Sequence, residues 1–284
     1  MNCFGDEHLE SCAGCRRVVD GLRRLGEVPM RRPVRWRALA LAACAGAAAI
    51  LFWIPEMPES PQPPQPPQPP PLARSAGSIR GKVLLAGAAP RPKKIRTDAD
   101  PFCSAKSLFA EDVVAVEREG ELRLAGAVAW VAAAPPDPSP PPREPVLLRQ
   151  IECRYAPHVL ALRVGQPLLI RNEDPTMHNV HSISVVNREF NFAQARAGAE
   201  EVRTFERPEM AIRIKCDIHA WMNAVLFVFD HPFFAVTGED GLFEIRGVPD
   251  GEHELTLWHE KFGERSARAV VRGGAASLEI VFGE

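Results

Sequence analysis

From residue 78 to residue 282 the chain is a succession of short runs rich in Val, Ile, Leu and Phe, broken every few residues by Gly, Pro or Asp-Gly. No long stretch repeats apolar residues at the spacing of an amphipathic helix, so the runs are expected to be strands and the region all-β. Expected strands cover 78–85, 112–116, 126–132, 146–151, 159–164, 167–171, 179–184, 201–206, 210–215, 224–229, 242–245, 253–258, 267–271 and 277–282. Leu160, Leu162 and Val164 alternate with Ala161 and Arg163, the pattern of a strand with one face buried. Gly165-Gln166-Pro167 then turns the chain into the strand that ends at Asn172.

Within this β region lies Lys215-Cys216-Asp217-Ile218-His219-Ala220-Trp221-Met222. Cys216, His219 and Met222 offer a thiolate, an imidazole and a thioether within one tight loop, a donor set that suits copper. Copper electron-transfer sites are trigonal His₂Cys centres with a weak axial Met, so a second His has to come from another strand. Thr176-Met177-His178-Asn179-Val180-His181 supplies it. Taken singly, a buried Cys is usually a small hydrophobe and a Met a gap filler; the four together point to a metal. His181 lies three residues beyond His178, on the opposite face of a strand, and reads as a structural or surface histidine.

His178-Asn179-Val180-His181 followed by Cys216-x-x-His219-x-x-Met222 resembles the cupredoxins, with the short ligand loop of their amicyanin-like members, over residues 146–230. The resemblance implies a Greek-key β-sandwich in which His178, Cys216 and His219 are equatorial copper ligands and Met222 is the axial one. It also implies that the Asn179 backbone N–H donates to the Cys216 sulfur and ties the two ligand loops together. Ala220 and Trp221 would then form an apolar rim around His219 on which a redox protein partner docks. With Met222 in the axial position no open coordination site remains for a substrate, so the chain is expected not to be an enzyme. If Cys216 binds copper, Cys103 and Cys153 remain as a pair beyond the apolar run described below. In an oxidising compartment a disulfide between them is expected.

A second resemblance flanks the first. Val236-Thr237-Gly238-Glu239-Asp240-Gly241-Leu242-Phe243-Glu244-Ile245-Arg246-Gly247-Val248-Pro249-Asp250-Gly251 is similar to carboxypeptidase regulatory-like (transthyretin-like) β-sandwich domains. Ser78-Ile79-Arg80-Gly81-Lys82-Val83 looks like the first strand of such a domain, and Leu124-Ala125-Gly126-Ala127-Val128-Ala129-Trp130 like its second. The expectation is one sandwich made of 77–134 and 231–284, with 135–145 as a Pro-rich linker and the copper unit at 146–230 inserted. Two consecutive domains split near Asp230 are the alternative.

The first 76 residues are of another kind. Residues 1–37 carry eight Arg against five acids, and residues 38–54 follow without a charge. Seventeen residues sit at the short end of the ~17–25 that cross a bilayer. Trp36 and Trp53 flank the run, and the Arg cluster before it places the N-terminus in the cytoplasm. A single transmembrane helix at 36–54 in a bacterial inner membrane is therefore expected, with everything after it periplasmic. A cleaved signal peptide, or a lipoprotein modified at Cys44, are the other readings of the run. The Pro-Gln-Pro-Pro repeats of the 55–76 linker should extend as polyproline II and act as a semi-rigid spacer. Ahead of the run, His8, Cys12 and Cys15, with Cys3 as fourth candidate, have zinc-ligand spacing. This 1–35 segment resembles the zinc-binding anti-sigma factor motif, although that family has a longer helical domain before it. Zinc and a sigma factor are what the resemblance implies; reduced thiols without metal are the alternative.

Lys and Arg total 34 against 36 Asp and Glu, which gives no basic excess for binding nucleic acid. His158, His231, His253 and His259 have no partner at metal-ligand spacing and read as structural. The sequence thus describes a membrane-anchored extracytoplasmic copper protein that transfers electrons. Its alternatives are a copper-delivery protein without electron transfer and an anti-sigma-like regulator with a copper-sensing outer domain.

Overall fold

A computed structural model describes residues 76–97 and 100–283 of the chain. The zinc-motif residues Cys3, His8, Cys12 and Cys15, the apolar run at 36–54 and nearly all of the Pro-rich linker lie outside the described residues.

The described chain is all-β, as the run pattern predicts, apart from one helical turn at Pro101–Ser104. Four strands precede the Pro-rich 135–145 segment: β1 (Ala76–Leu85), β2 (Ala115–Arg118), β3 (Glu121–Leu124) and β4 (Val128–Val131). Nine follow it: β5 (Val146–Ile151), β6 (Arg154–Ala156), β7 (Val159–Arg163), β8 (Leu168–Asn172), β9 (His178–Ile183), β10 (Asn191–Gln194), β11 (Glu200–Arg203), β12 (Glu209–Lys215) and β13 (Asn223–Phe229). The last five are β14 (Phe234–Val236), β15 (Leu242–Pro249), β16 (Gly251–His259), β17 (Gly263–Val271) and β18 (Ala275–Phe282).

Pairing follows neither half of the chain alone. β15, β1, β3 and β2 form one sheet with β18 parallel to β1, and β14, β4, β16 and β17 form a second. Both sheets therefore join strands from either side of 146–229. The nine strands between them make two sheets of their own, β10-β9-β12-β13-β7 and β11-β8-β5-β6. The chain enters and leaves this middle region at one place, where the Asp137 N–H donates to the Asp230 carbonyl at 2.8 Å. Arg163, almost wholly buried, grips the incoming segment by donating to the carbonyls of Asp137 (2.9 Å) and Ser139 (3.2 Å).

Three apolar layers separate the four sheets. Ile79, Val83, Leu255, Leu257, Phe243 and Phe282 fill the first, between the β1 and β16 sheets. Leu148, Leu162, Ile170, Val180, Ile214 and Leu226 fill another, between the β8 and β13 sheets. The layer between these two sandwiches holds Val128, Val159, Phe227 and Phe229, packed on Trp130, Phe234 and Trp258. This explains a strand whose sequence does not alternate. In β13, Ala224, Leu226 and Val228 face the sandwich core while Val225, Phe227 and Phe229 face the layer beyond, so both faces are buried and both are apolar. β4 divides in the same way, Ala129 and Val131 to one side and Val128 and Trp130 to the other. Gly81 is required where it stands because a Cβ there would lie 2.3 Å from the Phe243 ring.

Candidate metal centre

His178 opens β9, Cys216 directly follows β12, and these strands are antiparallel neighbours with Lys215 opposite His181. That register brings the two ends together. The loop from Cys216 to Met222 is closed at both levels: the Cys216 N–H donates to the Met222 carbonyl (3.1 Å), and the Met222 N–H to the His219 carbonyl (2.9 Å). Inside it the Cys216 Sγ accepts from the His219 N–H at 3.3 Å, which turns the imidazole back over the sulfur. Asn179 joins the two loops. Its N–H donates to Cys216 Sγ at 3.3 Å, and its Oδ1 accepts from the Asp217 N–H at 3.1 Å. Tyr155 pins the strand ends from below, its hydroxyl donating to the carbonyls of Asn179 (2.5 Å) and Lys215 (3.2 Å).

The result is a convergent donor set. His178 Nδ1 lies 3.0 Å from His219 Nδ1, and His219 Nδ1 lies 3.9 Å from Cys216 Sγ. His178, Cys216 and His219 are all buried, and Met222, 1% exposed, packs in the same cluster as Cys216. Two imidazole nitrogens each about 2.0 Å from one ion can stand 3.0 Å apart. The protonation pattern agrees. His178 Nε2 sits 2.8 Å from Asp174 Oδ2, an acceptor, so Nε2 carries a proton, and Nδ1 is the nitrogen turned towards His219. Burial pushes the Cys216 thiol up, but His178 and the amides of Asn179, His219 and Ile218 outweigh it and hold the group below the ordinary thiol range. Burial and the neighbouring His178 lower His219, against a smaller opposite pull from Asp100. A soft, thiolate-prone sulfur and two imidazole nitrogens converging on one point fit copper.

Around these donors is a frame of which sequence reasoning found only one part. The expected disulfide joins Cys103 and Cys153, S–S 2.02 Å, and both are fully buried. The Asp100-Pro101-Phe102-Cys103 stretch is a helical turn with Asp100 as its N-cap and Pro101 at its first position. It lies over His219, with Cys103 Sγ 4.0 Å and an Asp100 carboxylate oxygen 3.6 Å from Nε2. His219 is consequently 1% exposed and not at an open rim. Ala220 is exposed, but Trp221 turns inward: its ring tilts against His219 at 5.0 Å and its Nε1–H donates to the Cys153 carbonyl at 3.1 Å. On the other side Asp174 accepts from the amides of Glu152 (2.7 Å) and Cys153 (2.8 Å). Those two residues form the β5–β6 turn with φ of 51° and 58°, a left-handed conformation that non-glycine residues resist, and the carboxylate clamps it.

The remaining histidines sit apart from the centre. His181 faces out and pairs with Asp217 at 2.9 Å. His158 bridges Glu260 (2.6 Å) and the Asn223 carbonyl (3.1 Å). His231 accepts from the Phe233 N–H and His259 from the Lys261 N–H, while His253 contacts the Pro249 carbonyl.

No protein-family profile matches the chain, and no curated protein does. Among solved structures it is similar to a copper-containing nitrite reductase from Thermus scotoductus SA-01, at 24% identity and a TM-score of 0.28. That match takes in 30% of this chain and 22% of the reductase, well under half of its length. It is also similar to a purple cupredoxin from Nitrosopumilus maritimus, at 28% identity and a TM-score of 0.23, over 26% of this chain and 80% of that one. A Cu(I) form of an amicyanin mutant matches at 21% identity and a TM-score of 0.26, over 29% of this chain and 80% of that one.

Proposed function

We propose that this protein is a type 1 copper protein, held by its N-terminal span on the periplasmic side of a bacterial inner membrane, that passes single electrons to a redox protein near that membrane. His178, Cys216 and His219 would hold the metal, with Met222, buried in the same cluster, as a fourth donor. The observation that carries the reading is the meeting of one buried sulfur and two imidazole Nδ1 atoms, 3.0 Å apart, on loops tied to each other through Asn179. Copper bound there would supply one-electron exchange between Cu(I) and Cu(II). The chain's part is to keep the donors in one arrangement for both states: the ligand loops hang from paired strands, their amides are already bonded, and the side chains are locked in a packed core. With Met222 as a fourth donor the bound metal would keep no position for a substrate, which favours a carrier over an enzyme.

Addition of Cu(II) to the purified protein should produce an intense visible charge-transfer band that is lost in Cys216→Ser. Absence of the band in the unmodified protein would refute the reading. Copper delivery without electron transfer uses the same ligands; reversible voltammetry separates the two, since a delivery protein would give no reversible one-electron wave. The third reading, an anti-sigma-like regulator, rests on Cys3, His8, Cys12 and Cys15. It requires one zinc per chain and capture of a sigma factor.

A further inference from the structure

The outer nitrogens of both candidate ligand histidines face buried or half-buried carboxylates, and both carboxylates are held by the same disulfide. Behind His178, Asp174 Oδ2 lies 2.8 Å from Nε2 and also accepts from the Cys153 N–H at 2.8 Å. Behind His219, Asp100 Oδ2 lies 3.6 Å from Nε2, while its Oδ1 accepts from the Cys103 N–H at 2.9 Å. Thr176 connects the two arms: its hydroxyl donates to Asp100 Oδ2 at 2.8 Å, and its carbonyl accepts from the Asn172 side-chain amide at 2.9 Å. The Asn172 Oδ1 in turn accepts from the Asp174 N–H at 2.9 Å.

We propose that Asp174 and Asp100 are positioning residues of the metal centre, and that the Cys103–Cys153 disulfide holds them there, one half-cystine amide gripping the carboxylate behind each histidine. This rests on the copper reading above. A carboxylate behind an imidazole fixes its tautomer and orientation and makes the ligand more basic. Asp174 does so by a direct hydrogen bond. Asp100, too far for one, acts through its charge and by holding the helical turn over the ring. Two negative charges behind the ligands favour the more highly charged metal, so the centre is tuned towards Cu(II). Asp174 is 3% exposed, and the turn it clamps carries two left-handed non-glycine residues. The chain thus keeps an unfavourable backbone at the place where the Cys153 amide must point at Asp174.

The test has a metal-free arm and a copper arm, both on the full chain. In the metal-free protein, nitrogen NMR should find His178 with its proton on Nε2, and Asp174→Asn should shift it towards Nδ1–H. With copper, Asp174→Asn and Asp100→Asn should each move the Cu(II)/Cu(I) ratio towards Cu(I) at fixed potential. The expected change is tenfold or more for Asp174→Asn, a shift of about 59 mV for a one-electron couple, and a smaller one for Asp100→Asn. Replacing Cys103 and Cys153 together with Ala should shift the ratio the same way, and adding Asp174→Asn to that pair should add less than it does alone. Asp100, at the surface end of the frame, serves as the second variant if Asp174→Asn does not fold. Unchanged potentials in both aspartate variants, or an Nδ1–H tautomer in the unmodified protein, would overturn the proposal. A cysteine pair variant with altered stability but unmoved potential would remove the disulfide from it. Failure of the unmodified protein to give a copper band would instead refute the copper reading, and the NMR arm would still decide whether Asp174 positions His178.

Discussion

Glu209 opens β12, the strand that leads to Cys216, and its carboxylate is a hub for the loop after β9. It accepts from Ser184 Oγ (2.5 Å), from the backbone N–H groups of Val185 (2.7 Å), Val186 (3.2 Å) and Asn187 (3.0 Å), and from Asn187 Nδ2 (3.0 Å). Burial alone would raise its pKa; the bonds from Ser184, Val185 and Asn187 win and hold it at about 2. The folded value lies below the unfolded one, so the stabilisation is complete above the unfolded value. It is lost as pH falls from the ordinary 4.5 through about 2. That gap corresponds to about 3 kcal/mol. Glu209→Gln keeps one acceptor oxygen but turns an NH₂ towards N–H and O–H donors that now point at the carboxylate. It should destabilise the fold by about 2–4 kcal/mol at neutral pH. Urea unfolding of the metal-free protein at pH 6 and pH 2 checks both points. The unmodified protein should lose about 3 kcal/mol more than the variant over that interval. Parallel losses in the two proteins would refute the assignment of the acid sensitivity to Glu209.

Phe227→Ala should cost about 3–5 kcal/mol in chemical denaturation, because the ring is 1% exposed against Trp130, Phe229 and Trp258; a cost below about 1 kcal/mol would contradict the packed layer between the sandwiches. Arg163→Lys should lose the paired bonds to Asp137 and Ser139 and cost about 1–3 kcal/mol. Limited proteolysis should then cut first within residues 137–143. Gly81→Ala should destabilise by about 1–3 kcal/mol through its clash with Phe243, and Gly81→Ala with Phe243→Leu should recover part of that loss in the same assay.

The run pattern predicted most strands to within a residue or two, and 146–151 matches β5 at both ends. The strands it missed, β3, β6, β10 and β14, are three or four residues long with mixed burial, too short for alternation to show. The meeting of His178, Cys216 and His219 was legible because a Cys, two His and a Met are rare residues at restrictive spacings. The carboxylates behind them were not. Asp and Glu are common, and nothing in a one-dimensional pattern says that Asp174, four residues before His178, turns back onto it. Asp100 did carry a signal, an Asp before Pro at the start of a helical turn. Without that turn in view, the expected rim of Ala220 and Trp221 left His219 open where the protein has it closed.

Because the Asp137 and Asp230 main chains meet, the middle strands could be cut out and the severed ends rejoined with scarcely any span to bridge. Packing forbids what topology permits. Excision would bare Trp130, Phe234 and Trp258 to water, and on the removed piece Phe227 and Phe229 would lose those partners. Whatever their separate origins, the two sandwiches now share a wall, and heating should melt them in one step.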